Sequence, residues 1–189
     1  MFGVDTYQIE QNWISNRGAV LGTLLALPLA VIVVWLVHRR RDRPLRVTVA
    51  EVGMVLGTLP WLYLTLRPDP DGPGAVFVVP FRDLYALAAG GVVDLITQLV
   101  GNLLVFAALG FFLPVRLATF ASVPRVLAVA AVGSLAIEVT QLVAETGRTF
   151  SVDDVILNAA GAGMAAVLSR RWWAAERHAG PVAPGEYGV

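Results

Sequence analysis

The sequence contains no cysteine and no lysine, and only two histidines, His38 and His178. Without cysteine the chain has no disulfide, no thiolate nucleophile and no cysteine-based metal site. Each histidine lies in an arginine-rich flank with no second ligand near it in the sequence, which argues against a histidine metal centre. We therefore expect no metal site and no cofactor.

Charged residues are scarce as well. They make up 15% of the 189 residues, whereas hydrophobic residues make up 57%. A water-soluble protein typically has about 25% charged residues, so this chain has too little charge for an ordinary water-facing surface. Its length fits a single domain. The composition predicts a multi-pass protein of the cell membrane, with membrane lipids as its partners and no nucleic-acid partner.

Apolar runs of helical length define the expected architecture. About 20 residues cross the ~30 Å hydrocarbon core at a rise of ~1.5 Å per residue. The fold class is an all-α bundle of about five transmembrane helices within one membrane domain, residues 18–173. The predicted helices lie at about 18–37, 47–66, 98–114, 125–144 and 153–171. The segment at about 75–93 contains AVFVVPF, too short to span, and is predicted to be interfacial or re-entrant.

The arginines predict the orientation of the bundle. The loops and terminal segments form two alternating sets, of which one carries ten arginines and the other carries four. The positive-inside rule places the set with ten arginines in the cytoplasm. The N-terminus is then outside and the C-terminus cytoplasmic. Residues 1–17 lack the features of a cleaved signal peptide, so we expect them to stay on the chain as an extracytoplasmic segment. Residues 174–189 are expected to form a disordered cytoplasmic tail.

The most unusual stretch is 134–163, where polar side chains interrupt two apolar segments. A carboxylate at membrane depth costs about 3 kcal/mol or more unless it finds a partner or a wet cavity. Within each helix the polar residues share one face, because they are spaced three or four apart. The two faces contain Ser134, Glu138 and Gln141 in the fourth helix, and Asp154, Asn158 and Gly161 in the fifth.

The turn between these helices is short, which predicts an antiparallel hairpin with the two polar faces opposed. Arg148 lies on that turn beside four carboxylates, counting Glu145. Gly161 and Gly163 are expected to let a neighbouring helix approach closely. The predicted topology places all these polar groups at one membrane depth, in an outward-facing site. The predicted ligand-binding residues are Asn102, Ser134, Glu138, Gln141, Arg148, Asp153, Asp154 and Asn158.

Several of these motifs together resemble the VanZ-like family, which is named for a teicoplanin-resistance accessory protein. They are GNLLVFAALGFFLPVR, SLAIEVTQL, Arg148 followed at five and six residues by Asp153 and Asp154, and the run DVILNAAGAG. The resemblance extends from about Pro80 to Leu168. The family's N-x-x-P-F motif is FVVPF here, with Phe77 in place of the asparagine. The resemblance implies a multi-helix protein at the bacterial cell surface, associated in some members with tolerance to glycopeptide antibiotics.

Three functions and one structural alternative fit the polar residues. The first is binding or remodelling of an envelope component, such as the head of a lipid-linked cell-wall precursor or a glycolipid. The second is a hydrolase or transferase acting on a lipid-linked sugar or phosphate, with catalytic candidates Glu138, Asp153 and Asp154. The third, an ion-coupled transporter, is disfavoured because no inverted repeat is visible. The structural alternative is that the polar residues only hold the helices together.

Overall fold

The computed structural model describes residues 28–40 and 44–173. Residues 28–40 are helical, and we call this helix α1. The helix predicted at 18–37 therefore lies partly outside the described residues. The predictions for 1–17 and 174–189 lie wholly outside them.

Six further helices follow α1 in the described residues. They are α2 (Leu45–Leu66), α3 (Arg82–Gly90), α4 (Val92–Val105), α5 (Ala107–Arg116), α6 (Val123–Val143) and α7 (Val152–Ser169). Single turns of 3-10 helix occupy Ala118–Phe120 and Arg170–Trp172. Two strands, β1 (Val76–Phe77) and β2 (Phe150–Ser151), pair in parallel.

Four helical stretches in the described part of the chain are long and apolar enough to cross a membrane. They are Leu45–Leu66, Val92–Arg116, Val123–Val143 and Val152–Trp172. The shorter ones have 21 residues, about 31 Å of helix. The predicted all-α membrane bundle is thereby confirmed, while the orientation of its termini stays a prediction.

The second of these stretches is not one regular helix. Phe106 separates α4 from α5 and has φ −110° and ψ 9°, outside the helical region. Its side chain is buried, and its ring fills the space beside Gly133 of α6. Burial of this ring against α6 accompanies the break. The prediction of a single helix at 98–114 did not include this break.

Helix α7 lies in the middle of the bundle and packs against α4, α5 and α6. Its glycines permit the close approach that the sequence indicates. A Cβ at Gly161 would overlap the backbone of Leu103 in α4, and one at Gly163 would press against Leu127 in α6. The polar first turn of α7 meets α3 and α4 through side-chain hydrogen bonds, and Glu138 of α6 binds the residue just before it.

The segment at 75–93 forms β1 and α3 rather than a long helix. Helix α3 has nine residues, about 13 Å in length, which is too short to cross a bilayer. Strand β1 ties the segment to the start of α7, because Phe77 pairs with Ser151. The side chains of Phe81 and Tyr85 are exposed, a pattern typical of a membrane interface. An interfacial or re-entrant position for this segment stays a prediction.

Candidate functional site

The carboxylate of Glu138 holds the start of α7. Glu138 is only 2% exposed, and its Oε2 accepts a hydrogen bond from the backbone N–H of Ser151 at 3.0 Å. The Ser151 hydroxyl in turn accepts a hydrogen bond from the backbone N–H of Asp153. Amides at a helix start lack intrahelical acceptors, and negative charge is favourable there. Glu138 thus positions α7 from the neighbouring helix.

Asp153 plays a similar part for α3. Its two carboxylate oxygens accept hydrogen bonds from the backbone N–H groups of Phe81 and Leu84. Phe81 precedes α3 with a left-handed φ of 66° and offers no capping side chain of its own. The cap of α3 therefore comes from α7, about 70 residues further along the chain.

Gln141 and Arg148 bind a helix C-terminus, because both donate hydrogen bonds to backbone carbonyl groups at the end of α2. Gln141 donates from Nε2 to the Thr65 carbonyl at 2.7 Å. Arg148 donates to the carbonyls of Arg67 and Leu64 at 3.2 and 3.4 Å. Within residues 28–40 and 44–173, no carboxylate lies within ion-pair distance of Arg148. The carboxylates near it in sequence are thus not its direct partners, and the cation sits at the negative end of a helix.

Ser134 and Asn158 form a direct bridge between α6 and α7. Asn158 donates from Nδ2 to the Ser134 hydroxyl at 2.7 Å, and both side chains are buried. The Oδ1 atom of Asn158 has no hydrogen-bond partner among the described residues. This pair lies in the bundle interior and joins the two helices there.

A cavity of about 740 Å³ lies among the ends of α2, α3, α4, α6 and α7. Of the predicted ligand-binding residues, Asn102, Gln141, Arg148 and Asp154 line it, whereas the other four do not. We call it the polar cavity. Its charged and polar lining comprises Thr65, Arg67, Asp69, Asp83, Thr97, Gln98, Asn102, Gln141, Arg148, Thr149 and Asp154.

Asp154 and Asp83, two carboxylates in the lining, differ in whether they have hydrogen-bond partners. Asp154 accepts hydrogen bonds from Gln98 at 2.7 Å and from Asn102. Asp83 is 8% exposed, and no hydrogen bond or ion pair reaches its carboxylate from the described part of the chain. Burying a charged group without partners costs free energy, so Asp83 requires water or a ligand in the cavity.

Sequence reasoning did not select Asp83 or Gln98. The segment containing Asp83 was predicted only to be interfacial or re-entrant, which did not bring its carboxylate near the other polar residues. Gln98 carried a usable signal, because it precedes Asn102 by four residues and therefore shares its helical face. Both residues belong to the candidate site.

The cavity combines charges of both signs. Arg67 and Arg148 contribute guanidinium groups, and neither is within ion-pair distance of a carboxylate in the described residues. Arginine recognises phosphate through paired hydrogen bonds. The carboxylates of Asp83 and Asp154 can accept hydrogen bonds from hydroxyl or ammonium groups. Among the described residues, no group of three or more histidine, aspartate or glutamate side chains could hold a metal ion.

The family model described as VanZ/LLP1 matches residues 54–173, more than half of the chain. The matched range includes every residue that lines the polar cavity. No curated protein and no solved structure matches the chain.

Proposed function

Because this chain belongs to the VanZ/LLP1 family, we propose that it binds the polar head of a cell-envelope lipid or lipid-linked glycan in the polar cavity. The observation that carries the proposal is Asp83, a nearly buried carboxylate without a partner in the described residues, facing a cavity within a multi-pass membrane protein. A head group with hydroxyl or amine donors would satisfy that carboxylate. Water alone would also donate hydrogen bonds to the Asp83 carboxylate, but it would give the cavity no specificity for a ligand.

The charge distribution narrows the chemistry of the head group. Arg67 and Arg148 suit a phosphate ester, since each can donate more than one hydrogen bond to phosphate oxygens. Asp83 and Asp154 suit a hydroxyl-rich or amine-bearing group attached to that phosphate. A phospholipid head and the head of a lipid-linked glycan share this combination.

A role in glycopeptide tolerance is consistent with such binding. Teicoplanin carries a fatty chain and acts close to the membrane surface, where the polar cavity would face under the predicted orientation. A protein that holds or rearranges envelope lipids there would alter the membrane surface on which teicoplanin acts. We therefore extend the proposal to teicoplanin tolerance, through binding rather than through a bond-breaking step.

An enzymatic function is the second candidate, because Asp83 and Asp154 line the same cavity and two carboxylates can divide acid and base roles. Glu138 and Asp153 fit catalysis less well, since backbone N–H groups occupy their oxygens. An Asp154→Asn variant separates the candidates. A hydrolase would still bind its lipid while product formation falls, whereas binding alone predicts loss of the lipid and no product in either protein.

The test measures co-purifying lipids and antibiotic tolerance together. Wild type, Asp83→Asn and Asp154→Asn are purified in mild detergent at equal folded abundance, and bound lipids are quantified by native mass spectrometry. Asp94→Asn is the matched control, because Asp94 is exposed and lies outside the polar cavity.

We expect the two cavity variants to lose at least about tenfold in bound lipid, the equivalent of one charge-assisted hydrogen bond. Teicoplanin tolerance of the expressing cells should fall with it, and the control should match wild type. Retention of the same lipids by both cavity variants would refute the binding proposal. If binding falls but wild type confers no tolerance, only the extension to teicoplanin is refuted.

A further inference from the structure

A second cavity, of about 920 Å³, runs between α1, α2 and α5. Its lining is almost wholly apolar, and we call it the apolar groove. On α2 the lining begins at Leu45 and continues through Val49 and Leu56 to Leu64. At ~1.5 Å per residue this stretch covers about 28 Å, nearly the ~30 Å thickness of the hydrocarbon core.

The floor of the groove is built by close contact between α2 and α5. A Cβ at Gly53 would collide with the ring of Phe112, and one at Gly57 would collide with Ala108. The two glycines therefore let α5 lie directly against α2, while α1 forms the opposite wall. The groove is thus a consequence of the bundle's own packing within the described residues.

The apolar groove adjoins the polar cavity. Trp61 and Leu64 line both of them, near the end of α2 that Gln141 and Arg148 hold in place. A molecule with its head among the arginines and carboxylates would meet these two side chains first when its apolar part leaves the polar cavity. From there the groove leads along α2 toward the other face of the membrane.

We propose that the apolar groove holds one hydrocarbon chain, acyl or prenyl, of the same amphiphile whose head occupies the polar cavity. The inference rests on the proposed function and adds a chain-binding site to it. Lipid tails outside the protein are as apolar as the groove, so its contribution comes from packing rather than from removal of water. It orients the ligand and selects among chains by their shape and length.

Filling the groove tests the inference with matched variants on one helix. Val49 lines the groove and is 37% exposed, whereas Val55 is 50% exposed and lines neither cavity. Val49→Trp blocks the groove, and Val55→Trp is the control. The probes are the lipids of the expression host that co-purify with full-length protein, quantified by native mass spectrometry beside Asp154→Asn.

We expect Val49→Trp to retain roughly three- to tenfold less of the lipid that wild type retains, the effect of losing packing contacts in a bilayer. Val55→Trp should match wild type, and Asp154→Asn should lose the same lipid species. If Asp154→Asn loses the lipid while Val49→Trp keeps it, the groove inference is overturned and the head site stands. If Val49→Trp loses a lipid that Asp154→Asn keeps, two separate molecules are bound and the inference is also overturned.

A photo-crosslinking residue at Val49 gives an independent result if the tryptophan variant fails to fold. We expect it to form an adduct with a lipid, in a yield that falls when Asp154→Asn is added. An adduct with residues of its own chain, or with a second copy, would show a different occupant and overturn the inference. Failure of wild type to retain any lipid would overturn the proposed function itself.

Discussion

Glu138 in α6 accepts a hydrogen bond from the backbone N–H of Ser151, which precedes α7. The same relationship recurs between Asp153 and the amides at the start of α3, and in reverse between Arg148 and the carbonyls at the end of α2. Polar residues that would be costly in a membrane are thus used to satisfy helix ends. Of these side chains only that of Arg148 lines the polar cavity, and Asp83 of α3 faces into the same cavity.

Changing Glu138 should separate hydrogen bonding from charge. Glu138→Gln keeps a carbonyl oxygen that can accept from Ser151, whereas Glu138→Ala leaves that buried amide without a partner. We expect the alanine variant to lose about 1–3 kcal/mol of unfolding free energy and the glutamine variant much less. The measurement is unfolding of purified protein in mixed detergent micelles. Equal losses in both variants would show that the negative charge itself is needed.

Removing the Asp153 carboxylate should loosen α3 without unfolding the bundle. Asp153→Ala deprives Phe81 and Leu84 of their acceptor, and loss of a helix cap typically costs about 1 kcal/mol. Hydrogen–deuterium exchange at residues 81–90 should accelerate several-fold while α6 exchanges as in wild type. Unchanged exchange in α3 would contradict a capping role.

The Ser134–Asn158 hydrogen bond should contribute to the stability of the bundle rather than to ligand binding. Ser134→Ala leaves the Asn158 amide unpaired in the interior and is expected to cost about 1–2 kcal/mol. Adding Asn158→Leu removes the remaining polar group and should recover much of that loss. The double-mutant cycle is read from unfolding free energies, with lipid retention measured in parallel. Loss of lipid at full stability would instead assign this pair to ligand binding.

Close packing at Gly161 should be sensitive to one methyl group. Gly161→Ala forces α7 away from the backbone of Leu103 and is expected to cost about 1–3 kcal/mol. Gly101→Ala is the matched control, because a Cβ there meets nothing within 4 Å and alanine favours helix by up to ~1 kcal/mol. Both are measured by detergent unfolding, and equal behaviour of the two would refute the close approach.

Arg67 should contribute to ligand retention through its charge. Arg67 lines the polar cavity and is exposed, so Arg67→Gln should weaken retention of a phosphate-bearing lipid about tenfold at low salt. Arg46, at the other end of α2 and likewise exposed, supplies the control Arg46→Gln. High salt should narrow the difference between them. A larger loss in the Arg46 variant would place the phosphate at the opposite end of the bundle.

The class of the protein could be predicted from local composition. Apolar runs and sparse charge indicate membrane helices wherever they occur, because crossing the hydrocarbon core is a requirement on length and polarity alone. Residue spacing also placed Ser134 and Asn158 on facing sides of adjacent helices, which the structure joins by a hydrogen bond. Periodicity along a helix determines which face a residue occupies.

The use of each carboxylate was decided by tertiary structure. Glu138, Asp153 and Asp154 look equivalent in sequence, yet backbone amides hold the first two while Asp154 faces the polar cavity. A backbone N–H has no side-chain signature, so its pairing with a carboxylate about 70 residues away cannot be seen in the sequence. Asp83 enters the site for a similar reason: β1–β2 pairing and the Asp153 cap place α3 beside α7, and no local pattern encodes that placement.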